Sequence, residues 1–111
     1  MLKRAAARKP VPGDPYGRLA RQLKCLAHPG RLRLAAELLQ RDCCGTEMRG
    51  RVDLSQPQVS QSLKLLREAG LVTSRREKRR VCYSLVEGDV PRALRILLKG
   101  VKPNVRHHRS Q

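Results

Sequence analysis

Asp53-Leu-Ser-Gln-Pro-Gln-Val-Ser-Gln-Ser-Leu-Lys-Leu-Leu-Arg-Glu-Ala-Gly-Leu-Val72 is the stretch that decides how this 111-residue chain is read. Asp53 or Ser55 offers a side-chain oxygen to the unpaired N–H groups at a helix start. Pro57 falls in the first turn, where its missing N–H costs nothing. Val59, Leu63 and Leu66 then recur at helical spacing and point inward, and Gly70 supplies the residue type that ends helices. The other face presents Ser55, Gln56, Gln58, Ser60, Gln61 and Lys64. A merely solvated face usually carries Glu and Lys at i, i+4 spacing, and the first two turns here hold no acid. Short amides and hydroxyls are what base-edge readout in a major groove requires, with Lys64 suited to a phosphate.

Downstream, the apolar period changes from helical to two. Leu71 and Thr73, then Val81, Tyr83 and Leu85, alternate as strands do, with Val81, Tyr83 and Leu85 inward and Cys82 outward. Between them runs Arg75-Arg76-Glu77-Lys78-Arg79-Arg80, five cations against one anion at the tip of a hairpin. Such a run is often only a solubilising turn. Beside a helix of the kind just described, it is also a ribbon able to lie along phosphates and release their counterions. Val90, Ala93, Leu94, Leu97 and Leu98 form the stripe of a last helix that starts at Asp89 and Pro91.

Upstream, Gly45-Thr46 precedes a short polar helix through Arg51, with Met48 and Val52 buried. Before it, Leu32, Ala35, Leu38 and Leu39 mark a helix from Pro29 to about Arg41, with His28 as its cap. Leu19, Leu23 and Leu26 mark a first helix from about Tyr16 to Ala27. Pro10, Pro12, Gly13 and Pro15 break any helix before that. The expected organisation is a basic, disordered N-terminal tail (1–15), one folded domain (16–100) and a basic C-terminal tail (101–111). The fold class is mainly α with a small β-hairpin (α+β), in the order α-α-α-α-β-β-α, and the paired helices before the hairpin read as a helix–turn–helix.

Composition narrows the partner. The chain carries 25 Lys and Arg against 9 Asp and Glu, a formal charge of +16. Such a field repels itself and pairs with polyanions. Tyr16 and Tyr83 are the only aromatic residues, too few for the stacking platforms that hold single strands or RNA loops. Duplex DNA is therefore the expected partner. No apolar run is long enough for a membrane span, and no secretory signal is apparent, so the expected setting is the cytoplasm and its nucleoid. There is no glycine-rich phosphate loop, and no histidine is placed to activate a cysteine or serine, so no enzymatic activity is expected.

Three segments together resemble one family: Leu26-Ala-His-Pro-Gly-Arg-Leu-Arg-Leu34, the Asp53–Val72 stretch, and Arg76 through Val81-Cys-Tyr-Ser-Leu85. The chain resembles, over about residues 19–98, the arsenic-repressor (ArsR/SmtB) family of winged helix–turn–helix transcriptional regulators. That resemblance implies a homodimer paired through its first and last helices, bound to operator DNA until an inducer releases it. It assigns groove reading to Ser55, Gln56, Gln58, Ser60, Gln61 and Lys64. The wing falls to Arg75, Arg76, Lys78, Arg79 and Arg80.

The inducer must be read from four cysteines, at 25, 43, 44 and 82. Arsenic-sensing members of the family carry Cys-x-Cys at the start of the helix before the recognition helix. Cys44 falls on the first of those positions and Thr46 on the second. Cys43 and Cys44 nevertheless make an adjacent pair of soft ligands for As(III), Sb(III) or Cd(II), with Cys25 or Cys82 as a possible third. Zinc-binding members use an Asp on the last helix with a His two residues later, and Pro91 stands where that His would follow Asp89. A redox role falls to Cys82, expected outward in a basic field that favours the thiolate. Cys25 reads as a small buried hydrophobe. The rival reading keeps the fold without a sensor, as an inducer-independent, architectural DNA-binding protein. Another makes the basic tails a dock for an acidic protein.

Overall fold

A computed structural model describes residues 14–41, 43, 44, 48 and 50–101. The expectations for tail residues 1–13 and 102–111, and for the helix start at Gly45-Thr46, lie outside these residues. The first helix, α1 (Pro15–Leu26), begins one residue before its expected start. Asp14 caps it by accepting a hydrogen bond from the Tyr16 N–H at 3.1 Å. Pro15, read above as a breaker, occupies the first helical position, where φ near −65° already suits a helix. Residues 14 and 15 thus belong to the fold, not to the tail.

Helix α2 (Pro29–Gln40) follows directly, and His28 is its cap as expected. Its Nδ1 accepts from the N–H groups of Gly30 at 3.1 Å and Arg31 at 3.4 Å. The buried face of α2 is Gly30, Leu34, Ala35 and Leu38. Leu34 is thus more central than Leu32 and Leu39, which are only half-buried. The next element departs from expectation: Cys43–Cys44 form a short strand, β1. A helical turn closed by the Val52 N–H on the Met48 carbonyl at 3.1 Å comes next, and both side chains are buried as expected.

Helix α3 (Gln56–Glu68) is fastened at both ends. The Ser55 Oγ accepts from the Gln58 N–H at 3.3 Å, and the Gln58 Oε1 accepts from the Ser55 N–H at 2.8 Å, a reciprocal capping box. At the far end Gly70 has φ +80°. The Gly70 N–H bonds the Arg67 carbonyl and the Leu71 N–H the Leu66 carbonyl, each at 3.0 Å. This is the six-to-one and five-to-two closure that satisfies the last carbonyls of a helix, and it needs a left-handed residue at Gly70. Leu71 is turned into the core by it.

The chain then enters β2 (Val72–Glu77), turns through Lys78 and Arg79, and returns as β3 (Arg80–Leu85). The register runs from Val72 opposite Leu85 to Glu77 opposite Arg80, so the loop is two residues long. Lys78 takes φ +60° there, a strained conformation for a lysine. Strand β1 pairs the other edge of β3, which gives a three-stranded antiparallel sheet in the order β1-β3-β2. Helix α4 (Asp89–Leu97) and a final 3-10 turn (Leu98–Gly100) close the domain.

The core lies where α2 meets α1, α3, β3 and α4. It is built from Leu26, Leu34, Leu38, Met48, Val59, Leu63, Leu66, Leu71, Val72 and Leu94. Not every apolar stripe reaches it. Leu19 and Leu23 of α1 and Leu97 of α4 stay exposed. Helical spacing identifies an apolar face but does not say what covers it.

Candidate nucleic-acid interface

Burying Val59, Leu63 and Leu66 turns the opposite face of α3 to solvent. Ser55, Gln58, Ser60, Gln61 and Lys64 are exposed and Gln56 is half-buried. The structure thus brings all six expected residues onto one accessible surface, but not with equal freedom. The capping box commits the Ser55 hydroxyl oxygen and the Gln58 carbonyl oxygen to the helix start. Bidentate recognition of adenine needs both the oxygen and the nitrogen of an amide. While the box is closed, one of the two lone pairs of the Gln58 oxygen is taken and the side chain is held at the helix start. The Gln56 amide nitrogen donates to Ser60 Oγ at 3.4 Å, a long bond that a better acceptor would displace. Gln61 is exposed and takes no part in the capping box.

The hairpin projects beside this helix and is coupled to it. Arg67, absent from the sequence reading, donates from its guanidinium to Ser74 Oγ on β2 at 3.4 Å. Its position in the last turn of the helix was visible in the sequence, but the strand opposite it was not. At the tip, Arg76, Lys78 and Arg79 are exposed. Arg75 pairs with Glu77 at 2.8 Å. That hydrogen bond, with the charge of Arg75 and an S–H donated by Cys82 at 3.6 Å, holds the Glu77 carboxyl below the usual carboxylate range.

The last contact corrects the expectation for Cys82. Strand alternation does put it opposite in face to Val81, Tyr83 and Leu85, but that face is not open: Cys82 is 8% exposed. The Glu77 side chain bends over it, and β1 occupies the neighbouring strand position. A second connection ties α1 to the end of α3, where the Gln22 amide donates to the Ala69 carbonyl at 3.0 Å. Sequence reasoning missed Gln22 because its partner lies 47 residues away.

Among the described residues, no group of three or more His, Cys, Asp or Glu could hold a metal ion. The Cys43 and Cys44 side chains lie outside the described residues; their backbone pairs with Tyr83 and Cys82 respectively. Cys25 is half-buried, and that burial pushes its thiol above its ordinary value despite the opposing charge of Arg31. No described helix is long and apolar enough to cross a membrane.

Comparison with known proteins agrees with this geometry. The family model described as bacterial regulatory protein, arsR family, matches residues 28–74, from the cap of α2 into β2. The chain is similar to the biofilm growth-associated repressor of Agrobacterium fabrum, 44% identical over 75 residues, which are 68% of this chain and 64% of that repressor. It is 34% identical to the repressor of the same name from Xylella fastidiosa, over 71% of this chain and 69% of the other. Among solved structures, HlyU from Vibrio cholerae superposes with a TM-score of 0.71 at 32% identity, covering 76% of this chain and 91% of that one.

Proposed function

Because the chain belongs to the arsR family of bacterial regulatory proteins, a family of winged helix–turn–helix DNA-binding regulators and not of enzymes, we propose that it is an operator-specific transcriptional repressor acting as a homodimer. The observation that carries this reading is the exposed polar face of α3, free of acids over its first two turns, held at both ends by closed caps and flanked by a cationic wing. Helix α3 enters a major groove, where Gln61 and Gln56 read base edges, Ser60 and Lys64 support them, and Ser55 and Gln58 fix the helix start. Arg76, Lys78 and Arg79 follow the phosphates, with Arg75 and Arg80 behind them.

The dimer forms through the first and last helices. Tyr16 is 82% exposed and Leu23 52%; on α4 and beyond, Leu97 is 70% exposed, with Ile96 and Val101 nearby. A second copy that covered these exposed apolar side chains would remove them from water. Pairing two copies sets two α3 helices at the spacing of successive major grooves, so the complex occupies operator DNA in the cytoplasm and blocks polymerase.

Release is thiol-directed, by an oxidant or a thiophilic ion such as As(III), Sb(III) or Cd(II) acting at the cysteines of the β1–β3 pair. A full switch from bound to free needs about 5.5 kcal/mol of differential stabilisation, within the reach of covalent or thiolate chemistry. The test is fluorescence anisotropy of the reduced full chain on DNA from upstream of its own coding region, titrated separately with each agent. Specific binding released by one of them supports the reading. Equal affinity for unrelated duplexes, insensitive to all of them, would make the chain an architectural DNA-binding protein instead.

A further inference from the structure

The end of α3 is not held by its own closure alone. The N–H groups of Gly70 and Leu71 satisfy the carbonyls of Arg67 and Leu66. The carbonyl of Ala69, the C-terminal cap, takes no part in that closure. It accepts instead from the Gln22 amide of α1 at 3.0 Å, a part-buried bond between residues 47 positions apart. A Cβ at Gly70 would stand 3.5 Å from Gln22 Nε2, so the amide lies over the bend where α3 gives way to the wing. Gln22 thus grips the point shared by both elements of the DNA interface.

The same stretch of α1 carries the exposed side chains Leu19, one turn before Gln22, and Leu23 beside it. Residues three and four apart are neighbours on a helix surface, so the proposed dimer face and the grip on α3 share one turn of helix. The far end of α1 is fastened as well. The Arg31 guanidinium of α2 donates to the Cys25 carbonyl at 2.6 Å, and Leu26 is buried in the core. A rotation of α1 against the domain would break one or both of these hydrogen bonds.

We propose that Gln22 is a positioning residue that transmits the geometry of the dimer to α3, and so sets how strictly the protein measures the distance between two half-sites. Two copies of α3 on one duplex face successive major grooves about 10 base pairs apart. One inserted base pair turns the second half-site by about 35° and moves it about 3.4 Å along the axis. A stiff link from the dimer face through Gln22 to Ala69 rejects that displacement. Without the amide donor, the Ala69 carbonyl is left to water, and α3 with the root of the wing can swing to follow a displaced half-site. Base reading is a separate matter, because Gln61 lies about two turns from Ala69 along the helix.

This inference rests on the reading of the chain as a dimer paired through α1 that binds operator DNA through α3, and its test separates the two. Anisotropy is measured with the reduced full chain on DNA from upstream of its own coding region. Derivatives of that duplex have one or two base pairs inserted or removed between the half-sites. The wild type loses at least about tenfold in affinity for a one-pair change. Gln22→Met, close in size but without a donor, binds the native duplex about fivefold more weakly, the worth of one hydrogen bond, and loses only about threefold more for the one-pair change. Its dimerisation in sedimentation and its discrimination against single base substitutions stay at wild-type levels. Gln22→Lys, which keeps a donor on a side chain of sufficient length, restores the strict profile.

A spacing profile as strict in Gln22→Met as in the wild type, or base discrimination that falls in step with it, would overturn the role of Gln22. So would a Gln22→Lys profile as loose as that of Gln22→Met. A wild type that prefers its operator but tolerates every spacing alike would overturn the stiff link and leave DNA binding standing. One that prefers no duplex would count against the DNA reading itself, and against this role with it.

Discussion

Helices α3 and α4 carry the same kind of apolar stripe and end in opposite circumstances. In α3, Val59, Leu63 and Leu66 are all buried within the chain's own core, and what remains outside is polar and acid-free over the first two turns. In α4 only Leu94 is buried, while Ile96 and Leu97 face out. Helix α1 behaves like α4, with Leu26 buried and Leu19 and Leu23 outside. The contrast separates two jobs. The central helix is completed by its own chain, which leaves its free face for the DNA we propose it reads, whereas the outer helices keep exposed apolar side chains that the proposed second copy would cover.

The strongest way to break this contrast is to truncate one leucine from each class. Leu66→Ala removes a fully buried side chain and leaves a cavity, so thermal or denaturant unfolding should show a loss of about 2–5 kcal/mol. Leu97→Ala should change the stability of the isolated domain by no more than about 0.5 kcal/mol, yet weaken the dimer in sedimentation at low concentration. Equal stability losses in the two variants would erase the distinction.

Next in size is the effect on reading. Gln61→Ala should cost about 1–3 kcal/mol of discrimination at one base pair, measured by competition between operator and single-substituted duplexes, with unfolding unchanged. Ser55→Ala should lower stability by about 1 kcal/mol by opening the capping box. It frees the Gln58 side chain as well, so base preference should shift as well as weaken. Smallest is Arg79→Ala on the wing, which should weaken all duplexes alike and lower the slope of log affinity against log salt by about 1.

Much of this arrangement is legible without coordinates because its signals are local. The cap at Ser55, Pro57 in the first turn, the stripe from Val59 to Leu66 and Gly70 all lie within a few residues of what they control. His28 capping α2 is of the same kind. What escaped the sequence depends on partners far along the chain. Strand β1 is two residues long and exists because β3 offers a free edge, which no periodicity reports. The burial of Cys82 follows from that pairing and from Glu77 bending over it. The Gln22 hydrogen bond to Ala69 joins two helices that sequence spacing treats as independent. Pro15 was misjudged for a different reason: proline both ends helices and begins them, and Asp14 beside it was the deciding neighbour.

The central claim is that two copies of α3 read successive major grooves of one duplex. The most direct measurement is dimethyl sulfate protection of guanine N7, an atom of the major groove, on operator DNA with reduced protein. Two protected patches about 10 base pairs apart, centre to centre, are expected, each fading in Gln61→Ala while the overall fold persists. Protection that is absent from the major groove, or a single patch unaltered by the substitution, would contradict the account.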